Sequence, residues 1–86
     1  MIQVYSKKNC PFCDRAKALL ELKGLQYEEI RVDLDPTARQ FLLDSGHRSV
    51  PQIYNNGKLL VEGGYNGLAK LSDIEFNQLK EKSNVN

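Results

Sequence analysis

The sequence predicts an α/β chain of order β-α-β-α-β-β-α, a four-stranded mixed sheet flanked by three helices. Three observations carry that reading. An alternating run through Ile2, Val4 and Ser6 gives way to helical spacing at Ala16, Leu19 and Leu20. A second strand-like run, Tyr27 to Val32, leads into Asp35-Pro36, an N-cap followed by a proline suited to a first helical turn. Asn55-Asn56-Gly57 then separates two short strand-like runs, a strong signal for an antiparallel hairpin.

Taken in order, strand one covers Ile2 to Ser6. Helix one starts near Cys10 or Pro11 and ends at Gly24, burying Ala16, Leu19 and Leu20 with Leu22 as a flanking contact. Strand two, Tyr27 to Val32, buries Tyr27, Ile30 and Val32. Helix two runs to about Ser45, stops at Gly46 and buries Ala38, Phe41 and Leu42. The hairpin arms are Val50 to Tyr54 and Lys58 to Val61, and Gly63-Gly64 breaks the second. The last helix covers roughly Leu68 to Lys82; Ser72-Asp73-Ile74-Glu75 inside it reads as a capping box, which would move its start to Ser72. Strands one and two, joined through a helix, are expected to be parallel with a right-handed crossover. Helices then cover both faces of the sheet.

Eighty-six residues suit one small domain, 1–86, with residues 83–86 as a frayed tail. A net charge of +1 leaves no bulk electrostatic argument for nucleic acid or an anionic membrane. Apolar runs of a few residues exclude a transmembrane helix. The opening Met1-Ile2-Gln3-Val4-Tyr5 does not resemble a signal peptide. The two cysteines lie too close in sequence to form the framework of a disulfide-stapled secreted fold. A catalytic pair in a reducing, cytoplasmic setting is the better reading, and a monomer is expected.

That pair carries the chemistry. Cys10 and Cys13 stand beside Lys7, Lys8, Arg15 and Lys17, where strand one gives way to helix one. A thiol at a helix N-terminus meets the partial positive charge of unpaired N–H groups, which favours thiolate. Thiolate is the form that attacks disulfides. Cys10 is therefore the candidate nucleophile, and Cys13, one turn further in, the candidate resolving thiol. Pro11 rigidifies the link and gives up no needed donor, and Phe12 is placed to line the approach to the sulfur. A zinc site needs two more ligands, and beyond this pair the chain offers only His47 among cysteine and histidine residues, so no metal site is expected. Inert core cysteines are a further reading, but packing alone gives little reason for two of them to frame a helix start. His47, just after Gly46, reads as a partner for helix-end carbonyls rather than as a base.

Cys10-Pro11-Phe12-Cys13, Ser49-Val50-Pro51-Gln52 and Gly63-Gly64-Tyr65, set in that element order, resemble the thioredoxin fold and, more narrowly, a small dithiol glutaredoxin. The resemblance implies a thioredoxin-like fold and a thiol–disulfide oxidoreductase. It implies a cis peptide bond before Pro51, turning the Val50 backbone toward the thiols, where an extended substrate pairs with it as an added strand. Glutathione would lie across this loop with its sulfur on Cys10. Lys7 would meet its glycine carboxylate, Val50 its cysteinyl backbone, and the Gly64-Tyr65-Asn66 turn its γ-glutamyl carboxylate. Phe12 and Pro51 would complete the groove. Lys7 also reads as an ordinary solvated lysine, and Arg39 or Gln40 as an added contact. The resemblance implies no tightly bound cofactor, with glutathione as reductant. The implied partners are disulfide-containing or glutathionylated proteins, with ribonucleotide reductase among them by family analogy.

Two departures from the family pattern stand out. Members often carry an acidic side chain just after the glycine pair to hold the glutathione ammonium; here Asn66 and Gly67 occupy those places. The segment between Pro51 and Gly63 is also a residue or two longer than usual. Two alternatives accompany the glutathione reading. One is a glutaredoxin-like electron donor reduced by thioredoxin reductase, toward which Asn66 leans. The other is a glutathione-ligated iron–sulfur cluster carrier, against which the proline of Cys10-Pro11-Phe12-Cys13 weighs.

Overall fold

The computed structural model describes residues 1–84, with side chains through residue 80. Strands β1 (Ile2–Ser6), β2 (Tyr27–Arg31), β3 (Gln52–Asn55) and β4 (Lys58–Leu59) form one sheet in the order β2-β1-β3-β4. β1 pairs parallel with β2 and antiparallel with β3, which in turn pairs antiparallel with β4. The helices are α1 (Pro11–Leu22), α2 (Pro36–Asp44), α3 (Tyr65–Ala69) and α4 (Asp73–Asn84).

The period of β1 explains why the sheet takes helices on both sides. Ile2 and Val4 join Ala16 and Leu20 of α1, Ile53 of β3, Leu68 of α3 and Phe76 of α4 in one buried cluster. Tyr5, one step out of phase, joins Ala38 and Leu42 of α2 and Tyr54 in a second. Six expected core positions are less buried than the sequence predicts, Leu19 among them, which is half-buried against the first cluster. Leu22 is 79% exposed, because it lies about 200° around α1 from Leu20 and so faces away from the Cys13-Ala16-Leu20 stripe. Phe41 is 38% exposed at the rim of α2, where its ring packs against those of Tyr5 and Tyr54. Tyr27, Ile30 and Val32 are half-buried rather than buried, since β2 is an edge strand.

Helix ends fall where the cap residues place them. Asp35 Oδ1 accepts the Ala38 N–H at 3.1 Å, with Pro36 opening α2. Asp35→Ala is expected to lower the stability of the domain by about 1 kcal/mol, read as a lower urea midpoint at unchanged slope. Both α1 and α2 close on paired backbone bonds: Gly24 N–H to Glu21 and Leu25 N–H to Leu20, then Gly46 N–H to Leu43 and His47 N–H to Leu42. His47 thus meets a helix-end carbonyl through its backbone, leaving its ring for another partner.

The last helix departs from expectation. Among the described residues four helices replace three, because the capping box at Ser72 is real. Ser72 Oγ accepts the Glu75 N–H and Glu75 Oε1 accepts the Ser72 N–H, both at 3.1 Å, so α4 starts afresh after α3 ends at Ala69 with Lys70 as its C-cap. The expected tail, residues 83–86, lies at and beyond the end of α4; residues 85 and 86 are outside the described residues. In the hairpin, Asn56 and Gly57 both take positive φ (54° and 82°), the pairing that a two-residue turn between twisted strands requires. Its arms are shorter than expected: Val50 and Pro51 belong to the preceding loop, and β4 ends at Leu59.

Candidate active site

Where β1 ends, residues 7–10 turn the chain into α1. Asn9 takes φ 58°, a left-handed conformation that asparagine tolerates, and delivers Cys10 in extended geometry as the N-cap. Cys10 Sγ accepts the Cys13 N–H at 3.2 Å. The two cysteines are joined as a disulfide, with their Cα atoms 5.2 Å apart. Cys13 is 1% exposed and Cys10 7%. Cys10 is thus less accessible than expected, because in this oxidised form its sulfur is bonded to Cys13 and lies 3.9 Å from the Val50 carbonyl oxygen. It still keeps the more open position of the two.

The Val50–Pro51 peptide bond is cis. Gln52, buried just after it, donates its side-chain amide to Ser49 O at 2.9 Å and so ties the loop across its own bend. In the sequence Gln52 counts only as a member of the Ser49-Val50-Pro51-Gln52 motif, with no structural role; a polar residue at a buried strand start is the signal for one. His47 Nε2 lies 2.8 Å from the Tyr54 hydroxyl, fastening the same loop to β3.

Six of the residues singled out from sequence come together. Phe12, Val50, Pro51, Gly64, Tyr65 and Asn66 line one groove of about 540 Å³. Phe12 is half exposed, its ring 6.1 Å from that of Tyr65 and 5.0 Å from the Arg15 guanidinium. Lys7 stands apart. It lines a second groove, with Arg39 and Gln40, which meets the first at His47, Ser49 and Val50.

Two carboxylates, Asp33 and Glu29, tie basic and polar groups of neighbouring segments together. Asp33 takes two hydrogen bonds from the Arg31 guanidinium and one from the Lys8 N–H at 3.4 Å, and the Arg31 bond leads in pulling its carboxyl down to about 2. On β2, Glu29 Oε2 accepts from Lys17 Nζ at 2.8 Å and from the buried Ser6 hydroxyl at 2.7 Å. The Lys17 bond, then the Ser6 bond, hold Glu29 below its ordinary 4.5. A depressed carboxylate contributes stability that is complete above 4.5 and is lost as pH falls through the lower folded value. Glu29→Gln is therefore expected to be less stable than the parent at pH 7, with the gap closing as pH drops below 4.5. A gap independent of pH would reject this account.

Among the described residues, no group of three or more His, Cys, Asp or Glu is gathered to hold a metal ion, and no helix is long and apolar enough to cross a membrane.

The family model for glutaredoxin matches residues 2–60. This chain belongs to the glutaredoxin family. Members of that family are thiol–disulfide oxidoreductases. Glutaredoxin 3 of Escherichia coli (strain K12) is 41% identical to this glutaredoxin over 54 residues, 62% of this chain and 65% of that protein. The chain thus spans just under two thirds of the length of the Glutaredoxin 3 relatives it matches. Among solved structures, a buckwheat glutaredoxin–glutathione complex superposes with a TM-score of 0.76 at 28% identity, over 99% of this chain and 81% of that one. The glutaredoxin-like NrdH-redoxin of Escherichia coli, described as having a thioredoxin-like activity profile, gives 0.69 at 26% identity over 91% and 92%. These likenesses accord with the thioredoxin-like α/β fold.

Proposed function

We propose that this glutaredoxin is a glutathione-dependent dithiol oxidoreductase that reduces protein disulfides and glutathione mixed disulfides. The observation that carries the reading is the Cys10–Cys13 disulfide at the start of α1, set against the cis Val50–Pro51 loop. In the reduced pair, the Cys13 N–H and the first turn of α1 favour Cys10 as thiolate. That thiolate attacks a substrate disulfide, and the displaced thiolate takes a proton from solvent. Cys13, as thiolate, then attacks the Cys10 sulfur, releases the second substrate thiol and leaves the Cys10–Cys13 disulfide. One glutathione reopens it onto Cys10 and a second removes that glutathionyl group, so two thiols supply the two electrons and leave as oxidised glutathione.

The grooves suit this role. Val50 offers backbone pairing beside the sulfur, Phe12 and Pro51 wall the approach, and Gly64, Tyr65 and Asn66 open α3, whose first N–H groups lack helical partners. Lys7 holds a carboxylate at the other end. The likeness to a glutaredoxin–glutathione complex supports the assignment. On this reading the chain acts as a monomer in a reducing, cytoplasmic setting, and ribonucleotide reductase is one partner by family analogy.

Asn66, together with the likeness to NrdH-redoxin, favours a second reading in which thioredoxin reductase supplies the electrons. The deciding assay is turnover of a small glutathione mixed disulfide with glutathione plus glutathione reductase, set against thioredoxin reductase. Turnover with glutathione is expected; turnover with thioredoxin reductase alone would discard the glutathione groove while keeping the cysteine roles. Asn66→Asp, which restores an acidic partner for the ammonium group, is expected to lower KM for glutathione about two- to fivefold, the scale of one exposed ion pair.

A further inference from the structure

The second groove, about 740 Å³, is lined beyond Lys7 by residues that the glutathione reading leaves without a role, Leu34, Leu43 and Arg48 among them. It runs from Lys7 and Val50 out to Leu34, Leu43, Arg39 and Arg48. Leu34 is 72% exposed and Leu43 50%, so apolar surface lies open there. Its rim is basic. Lys7, Arg39 and Arg48 enter no ion pair among the described residues, and Asp33, the acidic residue of the lining, is already engaged by Arg31 and the Lys8 N–H. The groove therefore offers apolar contact flanked by uncompensated positive charge, and it begins at the loop that touches Cys10.

We infer that this groove takes the stretch of a protein substrate that follows its reactive cysteine, with an apolar side chain on Leu34 and Leu43 and acidic side chains facing Arg39 and Arg48. The direction rests on the glutathione reading. The tripeptide runs γ-glutamyl, cysteinyl, glycyl, and its glycyl end reaches Lys7. A protein segment paired with Val50 in the same sense continues beyond that point into the groove. Apolar contact supplies affinity, and the unpaired cations supply partner choice and a faster encounter.

The test uses prereduced protein and no glutathione. Two octapeptides, each a disulfide-linked dimer, differ only after the cysteine: leucine then two aspartates, or leucine then two lysines. In each event the Cys10 and Cys13 thiols become a disulfide and the peptide disulfide becomes two thiols, so the two electrons come from the protein. The acidic peptide is expected to react about tenfold faster at low salt, a preference that shrinks as salt is added. Arg48→Glu should cut that preference to about threefold or less, and Leu34→Asp should slow the acidic peptide. Both variants should leave turnover of a small glutathione mixed disulfide unchanged. Lys58→Glu, in the hairpin, makes the same change in net charge and should leave the preference intact. Equal rates for the two peptides overturn the inference, as does an effect of Lys58→Glu matching that of Arg48→Glu. Because glutathione is absent, peptide discrimination upholds the groove even where turnover with glutathione fails, so the two readings fall separately.

Discussion

Cys10→Ser is expected to abolish reduction of both protein disulfides and glutathione mixed disulfides, by roughly a thousandfold or more, since a serine hydroxyl is a weak nucleophile at its ordinary pKa. Cys13→Ser should spare the glutathione mixed disulfides and impair the protein disulfides. The asymmetry follows from geometry. Cys10 caps α1 and sits beside Val50, whereas Cys13 is 1% exposed and lies behind it. The bond that favours Cys10 thiolate comes from the backbone N–H of residue 13, at 3.2 Å, and survives replacement of the Cys13 side chain. In the proposed mechanism, Cys13→Ser removes the internal attack that releases a protein partner. Steady-state rates on a glutathionylated small thiol and on a protein disulfide separate the two; equal loss of both activities in both variants would refute the assigned roles.

Gly64→Ala should damage stability and site together. Gly64 takes φ 58° and ψ −126°, a backbone region closed to residues with a Cβ, and an added Cβ would come 2.6 Å from Pro51 O. The first effect costs about 1–3 kcal/mol, and the overpacking adds a further ~1–3 kcal/mol. Because the clash falls on the cis-proline loop, the loop must yield, and the groove between Pro51 and Asn66 opens or shifts. A lower urea midpoint together with a raised KM for glutathione is expected. A lower midpoint with unchanged KM would mean that the Gly64–Pro51 approach serves packing alone.

The legible part of the fold lay in short-range signals. Asp35-Pro36 placed the start of α2, Asn56-Gly57 placed the hairpin, and Cys10-Pro11 placed the start of α1. Each is a local bond or dihedral constraint, so neighbouring residues suffice to read it. The capping box at Ser72 was equally readable, but it competed with a continuous helical pattern from Leu68, and the cap won. Errors gathered where burial depends on distant partners. Phe41 has the spacing of a core residue, yet its place at the rim of α2 leaves it half covered.

By itself, then, the sequence determined the order of elements as far as β4, the cysteine pair at a helix start and the turns around it, because each follows from contacts within a few residues. Only the tertiary structure decided which of the named residues share a groove. It brought Phe12, Val50 and Tyr65 together from separate segments, and it set Lys7 in a second groove with Arg39 and Arg48. The physical reason is that a groove forms from the gaps between packed elements, and those gaps depend on sheet order and helix placement that local signals leave open.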